Sequence, residues 1–454
     1  MKSINPATGE KIATFEALGK EDVIKKIDKA HRQFQAFRES SLFDRSMLLK
    51  NVAKALKEKK EHLAQTATLE MGKLINDSRS EVDKCIWCCE YYADNAHHFL
   101  QDEEIKTDAS KSYISYQPLG VILAIMPWNY PYWQVIRFAA PAIMAGNTSL
   151  LKHASNVSQC ALALEEIFLE AGCAEGQFTT LLMSTDDIEE VIAHQAVKGV
   201  TLTGSGLAGS SVAAMAGKHL KKTVLELGGS DPYIILPNAD VALAAEECAK
   251  ARLMNTGQSC IGAKRFIIHE DVYEDFLVAF RKKMEGVPFV DPLAGVDGLA
   301  PMASLHHRDA LHKQVLQGIT NGAHLLCGGY IDPKVEGAYY PPTILTEVSR
   351  ENSIYGEELF GPVAMIFRVS STEEAVEIAN DTSFGLGAAV FTQNLNHGEE
   401  LAKLKLNAGS CFVNEQVKSD PRLPFGGIGI SGYGRELSGF GIREFVNVKT
   451  IYIK

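Results

Sequence analysis

What most constrains this chain is a rhythm that begins at residue 121, where short apolar runs start to alternate with segments of helical periodicity. Strands are predicted at Val121 to Met126, Thr148 to Lys152, Val200 to Thr203, Val224 to Leu227 and Tyr233 to Leu236. Helices are predicted between them at Cys160 to Ala171 and Leu207 to His219. Runs that are apolar at nearly every position, rather than every second one, suit strands covered on both faces. Strand–helix–strand units of this kind build a mostly parallel sheet. The turn formers Gly228-Gly229-Ser230-Asp231-Pro232 read as a break between two halves. Beyond them strands are expected at Arg265 to Ile268, Val363 to Phe367, Ala388 to Phe391 and Ser410 to Asn414. Helices are expected at Val272 to Met284, Leu305 to Asn321, Thr372 to Asn380 and Leu395 to Leu406.

The flanks differ. Glu21 to Arg38, Phe43 to Leu69 and Glu81 to Ala96 carry amphipathic helical spacing and read as packing helices without chemistry. Ser112 to Tyr116 and Phe445 to Ile453 alternate as strands, which would pair with each other or with a neighbouring subunit. With 454 residues the chain can bury a large core. Its formal net charge of −11, without a basic cluster, argues against nucleic acid or anionic membrane as partners. No apolar run approaches the roughly 20 residues of a membrane helix. Met1 to Pro6 lack an apolar signal core, so the cytoplasm is the expected compartment. Nine cysteines, an odd number without paired spacings, suit free thiols in a reducing environment. Cys85, Cys88 and Cys89 are expected in the core rather than on a metal, and no metal site is expected elsewhere.

Chemistry concentrates in Asn255-Thr256-Gly257-Gln258-Ser259-Cys260 and Leu225-Glu226-Leu227-Gly228-Gly229. A thiol and a carboxylate returned to neighbouring strand ends by a crossover can act as nucleophile and base. Cys260 reads equally well as one more buried small hydrophobe. Gly204-Ser205-Gly206 follows a strand and opens a helix, where backbone N–H groups can meet a phosphate; alone it is also a plain tight turn. Lys152 ends a strand, within reach of a ribose or phosphate, or simply on the surface. Asn129, fenced by prolines and aromatics, can donate to a developing oxyanion or only shape a turn. Glu357-Glu358-Leu359-Phe360-Gly361-Pro362 sets a carboxylate beside an aromatic ring ahead of a strand.

Taken together, Pro127-Trp128-Asn129, Lys152, Gly204-Ser205, Glu226-Leu227-Gly228-Gly229, Asn255 to Cys260, Glu358 to Pro362 and Pro424-Phe425-Gly426-Gly427 resemble the ordered signature set of the aldehyde dehydrogenase superfamily. The likeness spans nearly the whole chain and is nearest to the short bacterial succinate-semialdehyde dehydrogenases. It implies an α/β fold of two doubly wound, mostly parallel-sheet domains plus a small β oligomerisation flap. Residues 1–102 and 119–228 would form a Rossmann-like dinucleotide-binding domain, 229–428 the catalytic domain, and 103–118 with 429–454 the oligomerisation segment of a homodimer or homotetramer. It implies Cys260 as the thiolate nucleophile that forms a thiohemiacetal and then a thioester, Asn129 at the oxyanion and Glu226 as the base for hydrolysis. Trp128, Lys152, Ser155, Gly204, Ser205, Leu227, Glu358 and Phe360 would line the cofactor site.

Ser155 stands where NAD-selective relatives usually carry a glutamate, so NADP is expected to be used well and preferred, with NAD as second cofactor. Arg137 and Ser419 match positions that contact a substrate carboxylate, and Arg422 is near enough in sequence to assist. Met254 stands where some of these enzymes have a second arginine, and Gly262 where others have a second cysteine. The expected reaction is oxidation of succinate semialdehyde to succinate. Its rivals are a broad-specificity aliphatic or aromatic aldehyde dehydrogenase and a cysteine hydrolase or acyltransferase without nicotinamide.

Overall fold

The computed structural model describes the whole chain, Met1–Lys454. Two twisted sheets carry the two halves. The first has six strands in the order Gly432–Tyr433, Lys222–Glu226, Val197–Thr203, Val121–Met126, Thr148–His153, Phe178–Thr180; the last five run parallel. The second has seven, in the order His324–Cys327, Thr343–Thr346, Val363–Val369, Arg265–His269, Pro232–Ile235, Gly387–Phe391, Ser410–Val413; only the His324–Cys327 edge is antiparallel. Helices cover both, as wholly apolar strands demand: Leu123, Leu150, Val200, Ile234, Ile267 and Met365 are all buried. A third sheet is antiparallel, with Val446–Ile453 zipped along Lys111–Pro118 and Glu103–Glu104 on its far side.

Several elements depart from the sequence reading. The stretch Phe43 to Leu69 is two helices, Leu42–Glu58 and Lys60–Met71, which meet at Lys59. Trp133–Met144 is a helix that the sequence reading leaves unassigned; all twelve of its residues are buried, Gln134 and Arg137 included. Val241–Leu253, the short edge strands and Gly432–Tyr433 also went unread. Glu226 and Cys260 are not on adjacent strands of one sheet. Glu226 ends a strand of the first sheet, whereas Cys260 precedes Arg265–His269 of the second. Cys85, Cys88 and Cys89 are fully buried on the Ile75–Leu100 helix. No group of His, Cys, Asp and Glu is placed to hold a metal ion, and no helix is long and apolar enough to cross a membrane.

Candidate active site

The loop that presents Cys260 is built on an unusual turn. After Val241–Leu253 the backbone is left-handed at Asn255 (φ 52°), Thr256 (φ 55°) and Gly257 (φ 74°). A β-branched threonine there is strained and must be held by its surroundings. Thr256 Oγ1 donates to the carbonyl of Ala300 at 3.0 Å, and Asn255 Nδ2 donates to the carbonyl of Asn129 at 2.9 Å. A side chain on Gly257 would collide with the backbone of Gly361, so this turn docks directly on the Glu358–Pro362 segment.

Beneath the loop lies Lys264, fully buried, whose Nζ donates to the carbonyls of Ser259 (3.0 Å), Cys260 (2.9 Å) and Gly262 (3.1 Å). The same ammonium is 3.4 Å from Glu358, whose Oε1 accepts from the backbone N–H of Gly229 at 3.1 Å. A side chain on Gly228 would strike that carboxylate, which explains a glycine there. Burial pushes the Cys260 thiol up to about 12, with Arg137 and Lys264 pulling the other way.

Asn129 is buried and fixed from both ends of its amide. Oδ1 accepts from Gln134 Nε2 at 3.0 Å, and Nδ2 donates to the carbonyl of Gln258, two residues before the cysteine, at 3.0 Å. One amide N–H remains uncommitted. Glu226 is buried, and neither of its carboxylate oxygens has a hydrogen-bond partner. Its charged neighbours are Glu436, Arg137, Arg435 and Glu444, not Cys260. Burial, then Glu436, holds its carboxyl well above the usual range. Arg137 forms a buried ion pair with Glu436, donates to Thr203 Oγ1 at 3.3 Å and lies 4.8 Å from the Phe425 ring centroid.

Cys260, Arg137 and Ser419 face one cavity of about 220 Å3, shared with Tyr130, Trp133 and Met254. Arg422, expected at the substrate, lies outside it. Its guanidinium is an exposed clamp on Asp420, at 2.8 and 2.6 Å, because the nearer carboxylate two residues back captures it. Two residues absent from the sequence reading complete the site. Glu436 arrives from the glycine-rich segment after residue 424, where no periodicity marks it. Lys84, from the Ile75–Leu100 helix, is half-buried on the cavity wall. Its Nζ donates to Ser419 Oγ at 2.8 Å and lies 4.4 Å from the Trp133 ring centroid; burial, then Arg137, lowers it to about 8. Alternation of polar and apolar residues along that helix gave it only the look of a solvated lysine.

The residues expected at the cofactor lie around the carboxyl ends of the first sheet. Lys152 is buried at the end of Thr148–His153, without a carboxylate partner, and burial lowers its ammonium. Ser155 follows in an exposed single turn. His153 ties this strand end to the Asn129 loop through Nε2, 2.8 Å from the carbonyl of Pro131. Gly204 precedes Ser205, which caps the Gly206–Lys218 helix by accepting from Ala208 N–H at 3.3 Å. Leu227 is buried under that helix, where its methyls fill the space that a side chain on Gly209 would need. Trp128 stands edge-on to Phe360 with ring centroids 5.8 Å apart. A buried unpaired lysine, an open helix N-terminus and no carboxylate against Ser155 fit a phosphate-bearing dinucleotide.

The sequence profile of the Aldehyde dehydrogenase family matches residues 1–451. The chain is 49% identical over 451 residues to a protein of Synechocystis sp. named probable succinate-semialdehyde dehydrogenase (NADP+), with 99% of each covered. It is 46% identical over 454 residues to succinate-semialdehyde dehydrogenase (NADP+) 1 of Mycobacterium bovis, again with 99% of each covered. Among solved structures, succinic semialdehyde dehydrogenase from Streptococcus pyogenes in complex with NADP+ superposes with a TM-score of 0.97 at 40% identity, covering 100% of this chain and 99% of that one.

Proposed function

Since the chain belongs to the aldehyde dehydrogenase family, we propose that it oxidises succinate semialdehyde to succinate with NADP as the preferred hydride acceptor. The observation that carries this reading is one cavity lined both by Cys260 and by the cations Lys84 and Arg137. It offers a thiol to one end of a short substrate and positive charge to the other.

The chemistry follows from the side chains. Cys260 gives its proton to solvent, and its thiolate Sγ bonds to the aldehyde carbon as the carbonyl π bond opens, giving a thiohemiacetal whose oxygen is negative. The free amide N–H of Asn129 is the donor for that oxyanion; a well-placed donor there contributes about 3–4 kcal/mol. A nicotinamide bound there would supply the hydride acceptor, and loss of hydride from the thiohemiacetal carbon would leave a thioester on Cys260. Glu226 takes a proton from water, the hydroxide adds to the thioester, and the thiolate leaves as succinate forms. To do so Glu226 turns from its pocket beside Glu436, and with no hydrogen bond on either oxygen it breaks none in turning.

Lys152 and Ser155 would hold the 2′-phosphate, Gly204 and Ser205 the pyrophosphate, Trp128 and Leu227 the walls beside it, and Glu358 with Phe360 the nicotinamide ribose. Residues 1–102 and 119–228 serve the cofactor in this reading, 229–428 the thiol, and 103–118 with 429–454 assembly. The strand Val446–Ile453 leaves Val448, Tyr452 and Ile453 exposed, which suits a homodimer or homotetramer in the cytoplasm.

The deciding assay sets succinate semialdehyde against butanal, with each cofactor, following reduced-nicotinamide absorbance and the acid formed. A higher kcat/KM for the carboxylated aldehyde with NADP is the expected result. Equal values for the two aldehydes overturn the substrate, and turnover without reduced nicotinamide overturns the reaction.

A further inference from the structure

A fully buried ion pair holds the segment that carries Asn129. The left-handed turn at Gly72 (φ 88°) ends the helix Lys60–Met71, and the next residue, Lys73, is buried. Its ammonium donates to Glu81 Oε2 of the Ile75–Leu100 helix at 2.5 Å, and both side chains are at most 1% exposed. The remaining polar contacts of the pair all go to the segment Asn129–Trp133. Lys73 Nζ donates to the carbonyl of Asn129 at 3.2 Å and lies 4.1 Å from the Tyr130 ring centroid. Glu81 Oε1 accepts from the backbone N–H groups of Tyr132 and Trp133, both at 2.8 Å. Those groups open the helix Trp133–Met144, which has no side-chain cap of its own. A carboxylate from another helix takes that place and suits the positive end of the helix dipole. Neutral side chains of similar volume often stabilise such a site as well or better, so stability alone does not account for two charges here.

The carbonyl of Asn129 also accepts from Asn255 Nδ2 of the thiol loop at 2.9 Å. The peptide that carries the oxyanion donor is thus bonded both to the thiol loop and to the ion pair. Gln134, in the first turn of the helix that Glu81 caps, donates to the Asn129 side-chain oxygen at 3.0 Å. We propose that Lys73 and Glu81 are positioning residues of the oxyanion site: they fix the peptide of Asn129 and the start of the Trp133–Met144 helix, and through them the free amide N–H that meets the aldehyde oxygen. Their polar atoms are all engaged within the protein, so they act without touching substrate. A shift of about 1 Å in such a donor costs up to about 100-fold in rate. Their role rests on Asn129 as the oxyanion donor in the aldehyde chemistry above.

The test is a double-mutant cycle. Lys73→Met combined with Glu81→Gln removes both charges, so that neither is left buried without its partner, and Asn129→Ala removes the donor. Values of kcat/KM are measured for the neutralised pair, for Asn129→Ala, for all three changes together and for the wild type, with succinate semialdehyde and with butanal. Asn129→Ala is expected to cost about 10²–10³-fold. The neutralised pair is expected to cost about tenfold with either aldehyde when Asn129 is present, and less than about twofold when it is absent, with KM for NADP unchanged. Equal losses in both backgrounds would make the pair merely structural and overturn the proposal, as would full activity of the neutralised pair. Full activity of Asn129→Ala would overturn the oxyanion assignment, and the proposal with it. Thermal unfolding of each variant guards against misfolding. Should the neutralised pair fail to fold, Lys73→Arg, which keeps the charge and moves its donors, carries the same cycle.

Discussion

The ammonium of Lys264 lies 3.4 Å from the carboxylate of Glu358 while it donates to the carbonyl of Cys260 at 2.9 Å. One buried cation thus joins the loop of the thiol to the glutamate assigned to the ribose. Lys264→Met leaves three carbonyls and a carboxylate without their donor, at a cost of about 3 kcal/mol. The expected outcome is a lower Tm together with a raised KM for NADP. A variant with both values unchanged would show that the link has no mechanical role.

Burial holds the Cys260 thiol up to about 12, so the thiolate is the minor form at neutral pH in the free enzyme. Alkylation of Cys260 by iodoacetamide should therefore accelerate about tenfold per pH unit from 7 to 9 without levelling off. A plateau below pH 9 would mean that the thiol is activated before any ligand binds. Peptide mapping separates this site from the other half-buried thiols, Cys327 and Cys411.

Glu226→Gln keeps the shape of the side chain and removes its basicity. Steady-state turnover should fall by about 10²–10⁴ while the first equivalent of reduced nicotinamide still appears as a burst. Because burial and Glu436 keep the Glu226 carboxyl protonated above its usual range, hydrolysis in the wild type should speed up as the pH rises. Loss of the burst itself would move Glu226 to the step before hydride transfer.

Ser155→Glu places a carboxylate in the exposed turn after buried Lys152. Repulsion of the 2′-phosphate and pairing with Lys152 both oppose NADP. The kcat/KM with NADP should drop at least about tenfold, equivalent to about 1.4 kcal/mol, with NAD affected far less. An unchanged cofactor ratio would place the phosphate elsewhere.

Strands buried on both faces were legible because most residues in them are apolar, and Cys260, Asn129 and Lys152 were legible because each sits at the end of such a strand or in a glycine-marked turn. The rest failed for physical reasons. Trp133–Met144 is buried all round, its polar residues Gln134 and Arg137 included, so no solvent face marks it as a surface helix. Lys84 meets Ser419 across 335 residues of sequence, and nothing local distinguishes it from a lysine in water. Arg422 was assigned by nearness to Ser419 in sequence, yet the side chain follows the nearest carboxylate, Asp420. Glu226 and Cys260 were taken for ends of neighbouring strands because one crossover fits between them. The chain instead changes sheets at Gly228–Asp231, so Glu226 ends a strand of the first sheet while Cys260 precedes a strand of the second.

The Gly432–Tyr433 strand closes the first sheet against Lys222–Glu226, and Glu436 supplies the counter-charge of Arg137. During synthesis on the ribosome, the nucleotide-side half emerges long before either piece exists. Until residues 424–453 follow, Arg137 waits without its anion and the sheet with a bare edge. A nascent chain can thus collapse early around its apolar strands, but the surroundings of Arg137 are complete only once residues 424–453 have been added.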